Sequence, residues 1–174
     1  MNSKAIVAAV AMALAVGVAQ ADSAKREVQA MEGAKVSLTD AIKLAEKEGN
    51  GKAIGADYKA ASSGVGSYEV KVLSNDGTKL MKYNLNAANG KIESAGNEAF
   101  GKVFTRLKAE DISNAPTNLV SAIHMAEQHA AGKAMDADVE RTGNTVRYDV
   151  KVAKTDGTTE KVKIDGSGHL ASAK

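Results

Sequence analysis

An internal repeat constrains the fold of this chain more than any other feature of its sequence. Three segments of the first half return in the same order in the second half: A-I-K-L-A-E at 41–46 as A-I-H-M-A-E at 122–127, Y-E-V-K-V at 68–72 as Y-D-V-K-V at 148–152, and D-G-T at 76–78 as D-G-T at 156–158. Their spacing of about 80 residues exceeds the roughly 20–50 residues of a solenoid unit. The repeat therefore predicts a small domain that occurs twice in tandem.

Each repeat begins with a pattern typical of an amphipathic helix. Ser37 is a good N-cap residue, apolar residues then recur at helical spacing, and Gly49-Asn50-Gly51 ends the pattern. In the second repeat either Thr117 or Asn118 is the expected N-cap, and Gly132 is the expected end.

Short strands are predicted after each helix. Apolar and polar residues alternate at 68–72 and 148–152, which indicates half-buried antiparallel strands. Asp76-Gly77 and Asp156-Gly157 predict tight type I′ hairpins. The predicted fold class is therefore α+β: two tandem repeats, each a helix packed on a roughly four-stranded antiparallel sheet.

The predicted domain boundaries follow from these patterns. Residues 22–95 form the first repeat, 96–111 a connecting helix with both phenylalanines of the chain, and 112–174 the second repeat. One continuous sheet and two separate lobes both remain open, with close packing slightly favoured.

The first 21 residues have the features of a secretory signal peptide. Lys4 precedes an uninterrupted apolar run, 5–18, and Ala19-Gln20-Ala21 has the small-x-small form of a cleavage site. The run is shorter than the roughly 20 residues needed to span a bilayer. We expect cleavage after Ala21, a periplasmic or secreted location, and no stable membrane insertion afterwards.

Composition excludes several classes of site and partner. The 174 residues include no cysteine, so thiolate metal sites, disulfides and a lipidated cysteine are excluded. A formal net charge of +2 and an aromatic content of 3% disfavour a nucleic-acid partner.

The combined motif resembles a known family. The order A-I-x-x-A-E, G-K-A, Y-x-V-x-V, D-G and a closing G-K-I is similar to the PepSY domain, over roughly 36–95 and, with variations, 111–172. The resemblance implies a stand-alone module related to the propeptides of metallopeptidases, where such domains are thought to inhibit the protease and assist its folding. No peptidase motif H-E-x-x-H is present.

Two groups of residues are candidates for a site. Lys71, Lys82, Lys151 and Lys163 are predicted on the polar side of their strands, where they could form a basic surface for an acidic partner or a peptide. The alternative is that these lysines protect an exposed sheet from aggregation. His124 and His129 are weak metal candidates, because they are five positions apart, which places them about 140° apart around a helix.

These observations predict a function without catalysis. We expect an exported protein-binding module, with no catalytic residues and no cofactor, that acts on another envelope or secreted protein such as a peptidase, as inhibitor or modulator. The alternative function is that of a periplasmic ligand- or metal-binding accessory protein. The sequence contains no nucleophile–base pattern that would indicate an enzyme.

Overall fold

The computed structural model describes residues 25–98 and 107–171. The predicted signal peptide and most of the predicted connecting helix lie outside these residues. The elements, in chain order, are α1 (25–32), α2 (Leu38–Gly49), β1 (Gly51–Lys59), β2 (Ser67–Ser74), β3 (Leu80–Asn86), β4 (Ile92–Asn97), α3 (Ala109–Ser113), α4 (Leu119–Ala130), β5 (Gly132–Thr142), β6 (Thr145–Lys154) and β7 (Thr159–Asp165).

All seven strands belong to one antiparallel sheet, in the order β4-β3-β2-β1-β5-β6-β7. The α+β class is thus confirmed, and the halves share one continuous sheet. The seam between them is the short pairing of β1 with β5, in which Ala56 lies opposite Ala137. Where four strands were expected in the second half, the described residues contain three and an isolated bridge from Ile164 to Leu170.

The two long helices begin and end much as their caps predict. Ser37 and Asp40 form a capping box at the start of α2, and the Asn118 side chain accepts the Ser121 N–H at the start of α4. Asn50 ends α2 in the left-handed conformation. Alanine rather than glycine takes that role in α4, because Ala131 has φ of 52° and Gly132 already belongs to β5.

The glutamate shared by the two A-I-x-x-A-E motifs joins each helix to the following strand. Glu46 accepts the Ala53 N–H through Oε1 at 2.9 Å, and Glu127 accepts the Ala134 N–H at 2.9 Å. Each contact lies where the strand contains a β-bulge, at 53–55 in β1 and 134–136 in β5. The glutamates therefore satisfy backbone donors at the bulges, where the ladder is irregular.

The core lies between the sheet and the helices α2 and α4. Ile42 and Ile123 are fully buried on the helices, and the alternating residues of β2 and β6 are buried beneath them. Tyr68 donates its hydroxyl hydrogen to the Val36 carbonyl oxygen at 2.7 Å, and Tyr148 likewise donates to the Thr117 carbonyl. Each tyrosine thereby ties its strand to the chain just before a helix.

The hairpins differ from the prediction of type I′ turns. Gly77 and Gly157 have positive φ, of 68° and 80°, but the aspartates before them do not. Each aspartate instead accepts the N–H of the threonine that follows the glycine, Asp76 from Thr78 at 3.0 Å and Asp156 from Thr158 at 2.9 Å. The D-G pair therefore stabilises a longer loop, in which only the glycine needs the left-handed region.

The boundary of the predicted connecting helix also differs. β4 extends to Asn97, so the helix does not start at residue 96. Residues 99–106 lie outside the described part of the chain, and the helix that follows them, α3, ends at Ser113.

Candidate functional site

The candidate site is the sheet surface opposite α2 and α4, which we call the open face. Its side chains alternate with the buried ones along five strands, as the pairing register shows. The charged members are Lys52, Asp57 and Lys59 on β1, Glu69 and Lys71 on β2, Lys82 on β3, Lys133, Asp136, Asp138 and Glu140 on β5, Arg147, Asp149 and Lys151 on β6, and Lys161, Lys163 and Asp165 on β7.

Three aspartates occupy the centre of the open face, at the seam. Asp57 lies directly opposite Asp136 in the β1–β5 pairing, and Asp138 lies opposite Gly55. Partial burial, then the charges of Asp138 and Asp57, raise the pKa of Asp136 to about 6. Desolvation also raises the pKa of Asp138, although its side chain stays exposed. Like charges opposite each other destabilise a sheet, so the seam is electrostatically strained at neutral pH.

The four predicted lysines all lie on the open face, but as two pairs on either side of the aspartates. Lys71 is directly opposite Lys82 in the β2–β3 pairing. On the other side, Lys151 is on β6 and Lys163 is on β7, where Lys163 lies opposite Asp149 of β6. Strands β1 and β5 separate the pairs, so no single lysine patch forms.

Carboxylates next to these lysines give the open face a mixed charge, where the sequence predicted a basic one. Lys82 Nζ lies 3.6 Å from Glu69 Oε2 and 3.5 Å from Glu98 Oε2. Lys151 Nζ lies 3.9 Å from Glu27 Oε2, on α1. Lys82 and Lys151 therefore already form ion pairs within the chain, and an acidic protein docked on the open face would contact both positive and negative groups.

Asp149 is the most buried acid of the open face, at 6% exposure. Arg147 donates to it through Nε at 2.8 Å, and Lys161 Nζ lies 3.4 Å away. Since burying an unpaired carboxylate is costly, these two cations stabilise Asp149 in place.

A polar trough crosses the seam on the open face. Its larger part, of about 400 Å³, includes Asp57, Lys59, Asp136, Lys151 and Glu27 in its lining. A smaller part of about 230 Å³ is lined by Glu69, Lys71 and Asp138. A trough lined by both acids and lysines suits polar side chains of a partner better than an apolar small molecule.

The two predicted metal candidates stay apart on α4. His124 Nδ1 lies 3.5 Å from Glu127, and His129 Nε2 lies 3.7 Å from Glu160 on β7. Across residues 25–98 and 107–171, no three His, Asp or Glu side chains are arranged to hold a metal ion.

Sequence reasoning missed Asp136. Asp57 and Asp138 occur at matching positions of the two repeats, whereas the match of Asp136 in the first repeat is Gly55. The acidic centre depends on the pairing of β1 with β5, and that pairing has no local signal in the sequence.

No helix of the described residues is long and apolar enough to cross a membrane.

Comparison with known proteins gives one family match. Residues 35–95 match the family model described as "Peptidase propeptide and YPEB domain", PepSY. This confirms the resemblance for the first half of the chain, while that of the second half stays a prediction. No curated protein matches the chain.

One solved structure is similar to the chain. It is the crystal structure of a "putative lipoprotein" from Clostridium difficile 630, with 16% sequence identity and a TM-score of 0.46. The match covers 80% of this chain and 92% of that one.

Proposed function

We propose that the chain is an exported, non-enzymatic protein-binding module whose open face docks a partner protein. The observation that supports this most is the uncovered, highly charged centre of a sheet whose other face is packed by α2 and α4. Lys59 and Lys161 on that face keep 54% and 64% of their side chains exposed, and Asp57 keeps 39%. Interleaved charges of both signs determine which partner binds and in which orientation, and they disfavour non-specific binding.

We further propose an envelope or secreted peptidase as the partner, with the chain as its inhibitor or modulator. The support is the family description over residues 35–95, which names peptidase propeptides. The alternative is a ligand- or metal-binding accessory protein; for its metal-binding form, the described residues contain no group of three His, Asp or Glu side chains placed to hold an ion.

The test combines binding with a matched set of variants. A chain with Lys71, Lys82, Lys151 and Lys163 all changed to alanine should lose capture of its envelope partner. A control chain with the exposed lysines Lys35, Lys43, Lys47 and Lys91, which lie outside the strands, changed to alanine removes the same charge elsewhere and should bind normally. Equal capture by the two variants would rule out the open face as the docking surface.

The peptidase step has its own measurement. The purified chain should slow a thermolysin-like metallopeptidase with about one-to-one stoichiometry, and the open-face variant should not. A chain that binds its partner but leaves every such peptidase active would keep the docking proposal and remove the inhibitor proposal.

Export is tested by the mass of the processed chain. We propose cleavage after Ala21, which predicts that the envelope fraction contains a chain starting at Asp22. A full-length mass in that fraction would contradict the predicted signal peptide.

We also propose that the two halves are copies of one unit. The supporting details are the matched bulges of β1 and β5, the matched glutamate contacts, and the matched tyrosine hydrogen bonds. On this basis residues 22–95 and 112–174 are the two domains, joined by the segment 96–111.

A further inference from the structure

The two edges of the sheet differ in how well they are protected. β4 forms one edge and β7 the other. An exposed edge strand offers unpaired N–H and C=O groups, so soluble proteins usually protect it with charges, proline or additional chain. β7 contains Glu160, Lys161 and Lys163, and it is further covered where the Ala171 N–H donates to the Lys163 carbonyl at 2.8 Å.

Among residues 25–98 and 107–171, β4 has no comparable protection. Its sequence is I-E-S-A-G-N, with a single charged residue and no proline, and every residue after Ile92 is exposed. The Glu93 and Ser94 side chains turn back to their own sheet, where Asn86 and Asn84 donate to them at 2.8 Å. In the described residues, no strand pairs with the outer side of β4.

The register fixes which backbone groups point outward. The Glu98 N–H donates to the Leu80 carbonyl at 2.8 Å, so that pair faces β3. Alternation along an antiparallel ladder then turns Gly96 toward β3, and Ala95 and Asn97 toward solvent. Ala95 and Asn97 therefore present outward N–H and C=O groups on either side of Gly96.

We propose that β4 pairs antiparallel with β4 of a second copy of this chain, centred on Gly96. In this register Ala95 lies opposite Asn97 of the second copy, and Asn97 opposite its Ala95, so the outward groups of both residues find partners. Gly96 lies opposite Gly96 of the second copy, and Ser94 opposite its Glu98. The pairing is isologous and closes as a two-fold dimer.

Two further features suit a second copy. No like charges lie opposite each other in this register, so the neutral edge complements itself. Gly96 also has no side chain, so neither copy presents a bulky group at the centre of the pairing. The proposed dimer uses an edge, and it leaves the open face free for its partner.

Sedimentation velocity over a range of concentrations is the first test, with a dimer expected. Ala95→Pro removes an outward N–H, leaves the ladder to β3 intact, and should weaken the dimer by at least about tenfold. Gly96→Glu places carboxylates opposite each other across the interface, while within one chain the new carboxylate faces Lys82. Ala60→Glu, in the exposed β1–β2 loop, is the matched control and should dimerise normally.

Cross-linking tests the register directly, because the chain has no cysteine of its own. Facing residues of a non-hydrogen-bonded pair lie about 4.5 Å apart between Cα atoms, within the range a disulfide spans. Gly96→Cys should therefore give an oxidised dimer in high yield, and Ala60→Cys should not. A monomer at every concentration, a dimer unaffected by Ala95→Pro and Gly96→Glu, or equal cross-linking of the two cysteine variants would each overturn the proposal.

Discussion

Asp136 stands at a position where the matching residue of the first half is glycine, and it faces Asp57 across the seam. Its carboxyl group has a pKa of about 6 in the folded chain, against an ordinary value of 3.8. The folded chain therefore holds a proton on Asp136 between about pH 4 and pH 6, where the unfolded chain has lost it. The contribution of Asp136 to stability is greatest below about pH 4 and decreases as pH rises to about 6.

We predict that Asp136→Asn stabilises the chain near neutral pH. Asparagine has a similar shape but cannot ionise, so the repulsion with Asp57 and Asp138 is removed. The expected gain in the free energy of unfolding is about 1–2 kcal/mol at about pH 7, and near zero at about pH 4. Urea titration of both chains at the two pH values measures the difference.

Asp156→Asn is a contrasting control for this experiment. Hydrogen bonds from the Thr158 hydroxyl and N–H lower the pKa of Asp156, so its charged form is favoured in the folded chain. This substitution should lower stability near neutral pH. If both asparagine variants shifted stability in the same direction, the assigned strain at the seam would be wrong.

Glu46 and Glu127 show what the repeated glutamate does. Each accepts a backbone N–H of a strand residue that is almost fully buried, Ala53 at 1% and Ala134 at 3% exposure. We predict that Glu46→Ala lowers the free energy of unfolding by about 1–3 kcal/mol, because the Ala53 donor is left without an acceptor. Chemical denaturation measures the loss.

Glu46→Gln separates hydrogen bonding from charge. The amide oxygen of glutamine can still accept the Ala53 N–H, so most of the lost stability should return. Glu127→Ala and Glu127→Gln should behave in the same way in α4. A glutamine variant as unstable as the alanine variant would show that charge, rather than the acceptor, matters.

At the scale of elements, the strands β1 and β5 begin with glycine because their neighbours leave no room for a side chain. A Cβ atom on Gly51 would lie 2.2 Å from the Leu73 carbonyl oxygen, and one on Gly132 would lie 2.2 Å from that of Ala153. Real contacts of that length do not occur, and backbone oxygens cannot move aside as a flexible side chain can. The glycine of each G-K-A motif is therefore a packing requirement of the sheet.

We predict that Gly51→Ala and Gly132→Ala each lower the free energy of unfolding by at least about 1–3 kcal/mol through this overpacking. Gly96→Ala on the edge strand β4 is the control, measured at a concentration at which the chain is monomeric, because its Cβ atom would meet nothing within 4 Å. Thermal denaturation should show a lower midpoint for the first two variants and no loss for the third. A normal midpoint for Gly51→Ala would contradict the close approach of β1 and β2.

The sequence predicted elements well where a pattern was local. Helical spacing and caps located α2 and α4, and alternation located β2 and β6. The bulge in β1 was not predictable from the sequence. Residues 53–56 are all small or apolar and all buried, so no alternation of polar and apolar residues marks the point where the register shifts. The D-G turns were assigned the wrong type. An Asp-Gly pair is typical of a type I′ turn, but the same pair occurs where the aspartate side chain accepts the N–H of the threonine that follows the glycine, as it does here.

At the scale of the whole molecule, the buried residues of both halves form one continuous core cluster. We therefore predict a single unfolding transition for the full chain. Ile42→Ala and Ile123→Ala, both fully buried, should each lower the free energy of unfolding by about 2–5 kcal/mol and shift that one transition.

Two probes can detect a departure from this behaviour. Far-UV circular dichroism reports both halves, while tyrosine fluorescence weights the first, which contains Tyr58, Tyr68 and Tyr83. The two curves should coincide for wild type and both variants. Separate transitions in Ile123→Ala would mean that the halves unfold independently.

The arrangement of the open face was the part of the site least accessible from the sequence. Alternation placed Lys71, Lys82, Lys151 and Lys163 on the correct side of their strands. It could not indicate that two lysines lie on each side of an acidic centre, because that depends on which strand of one half meets which strand of the other. Long-range pairing of this kind leaves no periodic signal within either strand.

The register of the seam is symmetric about the Ala56–Ala137 pair: Gly55 faces Asp138 on one side, and Asp57 faces Asp136 on the other. A strand that meets its counterpart in this way has the geometry of a homodimer contact. If the halves are copies, the ancestor of this chain was a single unit that formed a homodimer through β1. Gene duplication then joined the two units covalently, so the same strand pairing became intramolecular. On this reading the two copies, joined in one polypeptide, no longer had to stay identical, and they now differ at the seam, where one has Gly55 and the other Asp136.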